Sequence, residues 1–123
     1  MGNKINSYRD LLVWQKGLEL AYLLYGITRL FPQEEKFGLI SQIRRAAVSV
    51  PSNIAEGQAR YGKKEFIQYL YIAKGSLAEL DTQCLIAREL GYVEEPQIKP
   101  VFLQIDELQR MLYSLIGKLG GAK

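Results

Sequence analysis

The chain has 123 residues, 48% hydrophobic and 24% charged, with a net charge of +3; that is the composition of one globular domain, and it excludes a disordered or low-complexity chain. There is no histidine and a single cysteine, Cys84. This excludes Ser-His-Asp and Cys-His catalysis, histidine-ligated metals, an intramolecular disulfide and a cysteine zinc site.

The first predicted helix runs from Ser7 to Leu30. Leu11, Trp14, Leu18, Ala21, Tyr25 and Thr28 recur at alternating steps of three and four, the helical seam pattern. Phe31-Pro32 ends it, because a residue before proline avoids the α region. The second helix, Glu34 to Ala59, carries its stripe on Ile40, Ile43, Ala47, Val50 and Ile54. Pro51 falls inside it and is expected to kink it. The alternative is two shorter helices capped by Ser49 or Ser52, and Gly57 is expected to loosen the same region. The third helix follows Phe66, Leu70, Ala73, Leu77, Leu80, Cys84 and Ala87, with Gly91 as its C-terminal residue. The fourth follows Val101, Ile105, Leu108, Leu112, Leu115 and Leu119, and Gly120-Gly121 is expected to let the tail fray.

No strand alternation competes with these four patterns. Short connections force antiparallel neighbours, so the expected architecture is all-α: an up-down-up-down four-helix bundle spanning residues 1–123 as a single domain. Gly17, Gly26 and Gly75 fall inside helices, where close helix approach would explain them. No run approaches the roughly 20 apolar residues that span a bilayer. The polar Met1–Asp10 stretch is no secretory signal, and the cytoplasm is the expected compartment. The first helix also carries Val13, Leu20, Leu24 and Ile27, and the third Ile67, Tyr69, Tyr71, Ile72 and Ile86. A monomeric bundle buries one broad face per helix, so this second apolar face points to a homo-oligomer.

Charge is unevenly placed. Residues 1–64 hold ten Lys and Arg against five Asp and Glu, whereas residues 65–123 hold six against eight. In an up-down-up-down bundle one end collects Lys4, Arg9, Arg60, Lys63, Lys64, Lys118 and Lys123. Arg60-Tyr61-Gly62-Lys63-Lys64 sets an aromatic among cations and opens the third helix, whose N-terminus attracts phosphate. Arg60, Lys63 and Lys64, with Arg44, Arg45, Arg9 and Lys118, are the candidate nucleic-acid contacts. On the second helix Arg45, Ser49, Ser52, Asn53, Glu56 and Arg60 lie within about 100° of one another, as a ligand surface, a solvated face or a polar subunit seam. Glu34-Glu35 and Glu94-Glu95 sit at helix starts, where negative charge suits the dipole. Tyr8, Tyr61 and Tyr92 fall near helix ends, where rings stack on bases or close the core. No phosphate-binding glycine loop, nucleophile elbow or cofactor motif occurs, and none is expected to be bound.

Five segments together resemble one bacterial family. They are Tyr8 to Gln15, Phe31-Pro32 with Phe37-Gly38-Leu39, the Gln42-to-Gly57 run, Glu65-Phe66 with Ala73 to Leu80, and Leu90-Gly91-Tyr92. The family is the four-helix-bundle proteins encoded in intervening sequences of 23S ribosomal RNA genes. The resemblance implies a homopentameric ring without enzymatic activity. It also implies kinship with the accessory protein of diversity-generating retroelements, which binds nucleic acid and a reverse transcriptase. The expected function is therefore oligomeric, non-catalytic nucleic-acid binding, RNA favoured. The alternative is a scaffold that docks a polymerase- or nuclease-type protein without touching nucleic acid itself.

Overall fold

Residues 7–121 are described by the computed structural model. Their elements are a 3-10 turn at Tyr8–Asp10, α1 at Leu12–Thr28, a second 3-10 turn at Gln33–Glu35, α2 at Leu39–Ala59, α3 at Lys63–Glu89 and α4 at Glu95–Lys118. No strand occurs among the described residues, and the chain is an all-α four-helix bundle.

The helix ends follow local chemistry. Ser7 accepts the Arg9 N–H at 3.1 Å, but Leu11 is extended, so the first helix begins five residues later than the periodicity alone predicts. Gly38 likewise breaks the second predicted helix, and Glu35 reaches across the break. Its Oε1 accepts the Leu39 N–H at 3.0 Å, which satisfies a donor at the start of α2 and suits the helix dipole. Glu94 and Gln97 form a reciprocal capping box at the start of α4. Gly91 and Gly120, at φ +77° and +91°, close α3 and α4. Tyr92 N–H reaches Ala87 O at 3.0 Å and Gly121 N–H reaches Ile116 O at 2.8 Å, the long bonds of a Schellman motif. Gly120-Gly121 therefore caps α4 where fraying was expected.

Helix α2 runs unbroken through Pro51, which sets aside the two-helix alternative. Around the proline, the Ser49 hydroxyl donates to Ala46 O at 3.1 Å, and the Asn53 amide donates to Ser49 O at 2.7 Å. Pro51 is buried against α1, where a Cβ on Gly17 would lie 3.4 Å from the proline ring. Gly17 thus marks a close approach, while Gly26 and Gly75 face open space. Gly57 does the opposite of loosening: a Cβ there would fall 2.5 Å from Tyr69 Cβ, so α2 and α3 meet too tightly for any side chain.

Opposite effects follow from these glycines. Gly57→Ala should destabilise the fold by about 1–3 kcal/mol through overpacking. Gly75→Ala should stabilise the isolated bundle by up to about 1 kcal/mol, since alanine favours the helix and meets nothing. Urea midpoints of the two variants test this; a Gly57→Ala midpoint at or above that of the parent would refute the tight approach.

Each helix touches two neighbours: α2 packs on α1 and α3, and α4 on α1 and α3. Contacts run in opposite chain sense across each pair. Gly17 meets Pro51 while Thr28 meets Arg44. Ser49 meets Ser76 while Glu56 meets Tyr69. Lys74 meets Gln109 while Arg88 meets Glu95.

The core on α3 is the predicted seam apart from Phe66, which is half-buried: Leu70, Ala73, Leu77, Leu80, Cys84 and Ala87 are buried. On α1 the seam shifts. Val13, Leu20, Leu24 and Ile27 join Ala21 and Thr28 inside, whereas Trp14 and Leu18 are half-buried and Tyr25 is exposed. The reason is that α1 is apolar on most of its circumference, so spacing alone does not select one face. Burial of each such leucine or isoleucine contributes about 1.5–3 kcal/mol. On α4, Ile98 and Ile116 join Val101, Ile105, Leu108 and Leu112 in the core, while the predicted Leu115 and Leu119 are half-buried.

Candidate nucleic-acid interface

The turn between α2 and α3 has three residues: Arg60 in extended conformation, Tyr61, and Gly62 at φ +111°. Its first cation is engaged. The Arg60 Nη2 donates to Glu56 Oε2 at 2.8 Å and to the Tyr69 hydroxyl at 2.8 Å. The guanidinium also stacks 5.1 Å from the Tyr69 ring centre. This pairing holds the Glu56 carboxyl below, and the Arg60 guanidinium above, their ordinary values. Exposed to solvent, the pair is screened and adds little stability; its main effect is to fix where the Arg60 charge sits.

Lys63 and Lys64 follow as the first two residues of α3, both exposed and without an ion pair to any described residue. Gly62 supplies no side-chain cap to the helix. Cations here oppose the positive end of the helix dipole, so a bound anion would satisfy free N–H groups and lysines together.

Two other predicted cations share this end. Arg9 lies exposed in the first 3-10 turn, which packs on α2, with Tyr8 beside Ser52 and Ala55. Lys118 ends α4 and borders a small groove with Leu11, Leu12 and Val13. Lys4 and Lys123 lie outside the described residues.

Arg44 and Arg45 lie elsewhere, toward the start of α2. Arg44 is a staple between helices. Its Nε donates to the buried Thr28 hydroxyl at 2.9 Å and its Nη2 to Tyr25 O at 3.2 Å, with the guanidinium 4.6 Å from the Tyr25 ring centre. Arg45 is exposed in a polar groove of about 570 Å³ with Ser41, Gln42, Ser49 and Glu79. Part of the polar face read on α2 touches α3, while Arg45, Ser52, Glu56 and Arg60 stay exposed. Ser49 bonds Ser76, and Glu56 bonds Tyr69.

The feature that spacing misplaced is an apolar groove of about 480 Å³ between α1 and α2, lined by Trp14, Leu18, Tyr22, Tyr25, Val48 and Pro51, among others. On α1 this groove is lined by the predicted seam itself, Trp14, Leu18, Ala21 and Tyr25, whereas the second apolar face, Val13, Leu20, Leu24 and Ile27, is the one that enters the core.

At the other end of the bundle, Glu35 accepts the Tyr92 hydroxyl at 2.7 Å, and Tyr92 packs on Phe31. Tyr8 packs on Trp14. These two tyrosines close core ends. The Leu39 N–H, then the Tyr92 hydroxyl, hold the Glu35 carboxyl below its ordinary value. A carboxyl lowered in the fold contributes stability above its unfolded pKa that is lost as pH falls through its folded pKa. The acid limb of a stability–pH profile should therefore flatten in Glu35→Gln. An unchanged acid limb would refute the clamp. Burial, with Asp81 adding to it, pushes the Cys84 thiol up to about 12, which makes it a packing group and no nucleophile. No acidic or cysteine cluster suited to a metal occurs among the described residues, and no described helix is long and apolar enough to cross a membrane.

Four helices with a cationic turn at one end and an apolar groove on one flank define a helical-bundle protein. Residues 9–114 match the family described as 23S rRNA-intervening sequence protein. The chain belongs to that family. A solved structure from Bacteroides thetaiotaomicron, a protein of unknown function from the S23 ribosomal protein family, superposes with a TM-score of 0.77 at 24% identity, covering 85% of this chain and 98% of that one. That likeness concerns the fold. No curated protein matches the chain.

Proposed function

We propose that this protein is a non-catalytic, oligomeric nucleic-acid-binding protein whose contact surface is the basic pole formed by Arg60, Lys63, Lys64, Arg9 and Lys118. The observation that carries this reading is the pair of unpaired lysines at the uncapped start of α3, beside an arginine fixed in place by Glu56 and Tyr69. Phosphate is the ligand such a site fits, and contacts to phosphate carry affinity without sequence preference. The family name ties these proteins to ribosomal RNA, which favours RNA over DNA. Arg44 is left out of the contact set because its guanidinium is occupied between helices. Arg45 stands apart from the pole.

Assembly belongs to the same reading. Exposed apolar side chains form two separate faces: the α1–α2 groove, and an outer stripe on α3 that includes Ile72 and Ile86. Two different faces on one chain suit the heterologous contacts of a closed ring, and a pentamer is the ring proposed. A ring would repeat the basic pole around one axis and strengthen its field.

The test is binding of a short RNA to the full chain across a salt series. Affinity that falls linearly in log salt is expected, with a slope near 0.7–0.9 for each phosphate contacted. Salt-independent retention, or none at low salt, would overturn the reading and favour the protein-docking scaffold, for which the α1–α2 groove offers an apolar surface.

A further inference from the structure

Tyr61 is fully exposed, 100% of its surface reaching solvent. The other tyrosines around the bundle ends are committed: Tyr8 to Trp14, Tyr92 to Phe31 and Glu35, and Tyr69 under Arg60. Tyr61 has no ring, cation or hydrogen-bond partner among the described residues. Both faces of its ring are therefore open. Its neighbours are Arg60 on one side and Gly62, Lys63 and Lys64 on the other, within a turn of only three residues between two long helices. An aromatic ring held out at the centre of a cationic turn exposes apolar surface with nothing in its own chain to cover it.

We infer that Tyr61 is a stacking platform for an unpaired base, and that the basic pole selects single-stranded over double-stranded nucleic acid. This rests on the reading of the pole as a phosphate-binding surface. A duplex offers phosphates to Lys63 and Lys64 but keeps its base faces stacked inside, so the ring gains nothing from it. A single strand offers both groups at once, and any base suffices because every base has a π-face. The open ring thus adds affinity without adding sequence preference.

Phe37 is the competing platform. It is also largely exposed, but Lys36 lies 5.6 Å from its ring centre, and Glu34 and Glu35 precede it at the opposite end of the bundle. It serves as the control.

The experiment compares a single-stranded 12-nucleotide oligoadenylate RNA with a 12-base-pair RNA duplex, each titrated by fluorescence anisotropy against the full chain. The intact protein should bind the single strand more tightly than the duplex. Tyr61→Ala should weaken single-strand binding about 5- to 150-fold, the range for loss of one stacked base. It should leave duplex affinity and the salt slope unchanged. Tyr61→Phe should retain binding, and Phe37→Ala should behave as the parent. Equal affinity for strand and duplex, or a Tyr61→Ala variant that binds like the parent, would overturn the inference while the phosphate reading stands. Binding of neither RNA at low salt would overturn both.

Discussion

Changing Arg60, Lys63 and Lys64 together to glutamate is expected to abolish RNA binding at physiological salt while the bundle stays folded. Each phosphate contact removed should lower the dependence of log affinity on log salt by about 0.7–0.9, and the three new carboxylates add repulsion. The fold should tolerate the change because all three side chains are exposed. The one interaction lost is the solvent-screened Arg60 pair with Glu56 and Tyr69. Reversal at the far end is the control. Arg88 is a poor choice for it, since its guanidinium bonds Glu95 at 3.2 Å and lies over Phe102. Arg29 and Lys99, both exposed and without an ion pair to a described residue, are better. Equal losses from pole and control variants would show that net charge alone matters. Unchanged affinity in the triple variant, with assembly intact, would shift the contact set to Arg45 or support the protein-docking scaffold.

Light scattering at micromolar concentration should give a mass five times the 14.0 kDa of one chain. The α1–α2 groove makes this concrete. Tyr22 and Val48 are 69% and 45% exposed, so neither supports the core of one bundle. Tyr22→Glu with Val48→Glu should therefore leave helicity and cooperative unfolding intact but, if the groove is a subunit contact, yield the single-chain mass. Burying two carboxylates in an apolar contact without partners costs several kcal/mol for each, enough to dissolve a ring at these concentrations. A parent protein already at 14.0 kDa would refute the ring. A parent ring that survives both substitutions would place the contact elsewhere, on the outer α3 stripe.

The seams of α2 and α3 were readable in the sequence: on α2 a polar side contrasts with the apolar one, and on α3 the buried stripe repeats without a break although Ile72 and Ile86 lie outside it. Leu70 to Ala87 on α3 and Ile43 to Ile54 on α2 are buried as their spacing requires. The face of α1 was not readable, because Val13, Leu20, Leu24 and Ile27 compete with Trp14, Leu18 and Tyr25, and only the neighbouring helices decide between them. Gly57 misled for a similar reason: a glycine's local effect is flexibility, and Tyr69 lies twelve residues away in sequence. The pole was legible in its lysines, which depend only on the order of helix ends. The loss of Arg44 to a staple was not, since it depends on Thr28 and the Tyr25 carbonyl of another helix turning toward it.

The placement of Trp14 has a practical consequence. It is the sole tryptophan of the chain, half-buried, in edge contact with Tyr8 and lining the groove that a neighbouring subunit would cover. Tryptophan emission therefore reports one location, on the α1–α2 flank of the bundle. Its colour and quenching are a gauge of what sits against α1 and α2. Dilution can then be followed optically without a label, and a shift in emission that precedes the loss of helical circular dichroism would separate the parting of subunits from the unfolding of each bundle.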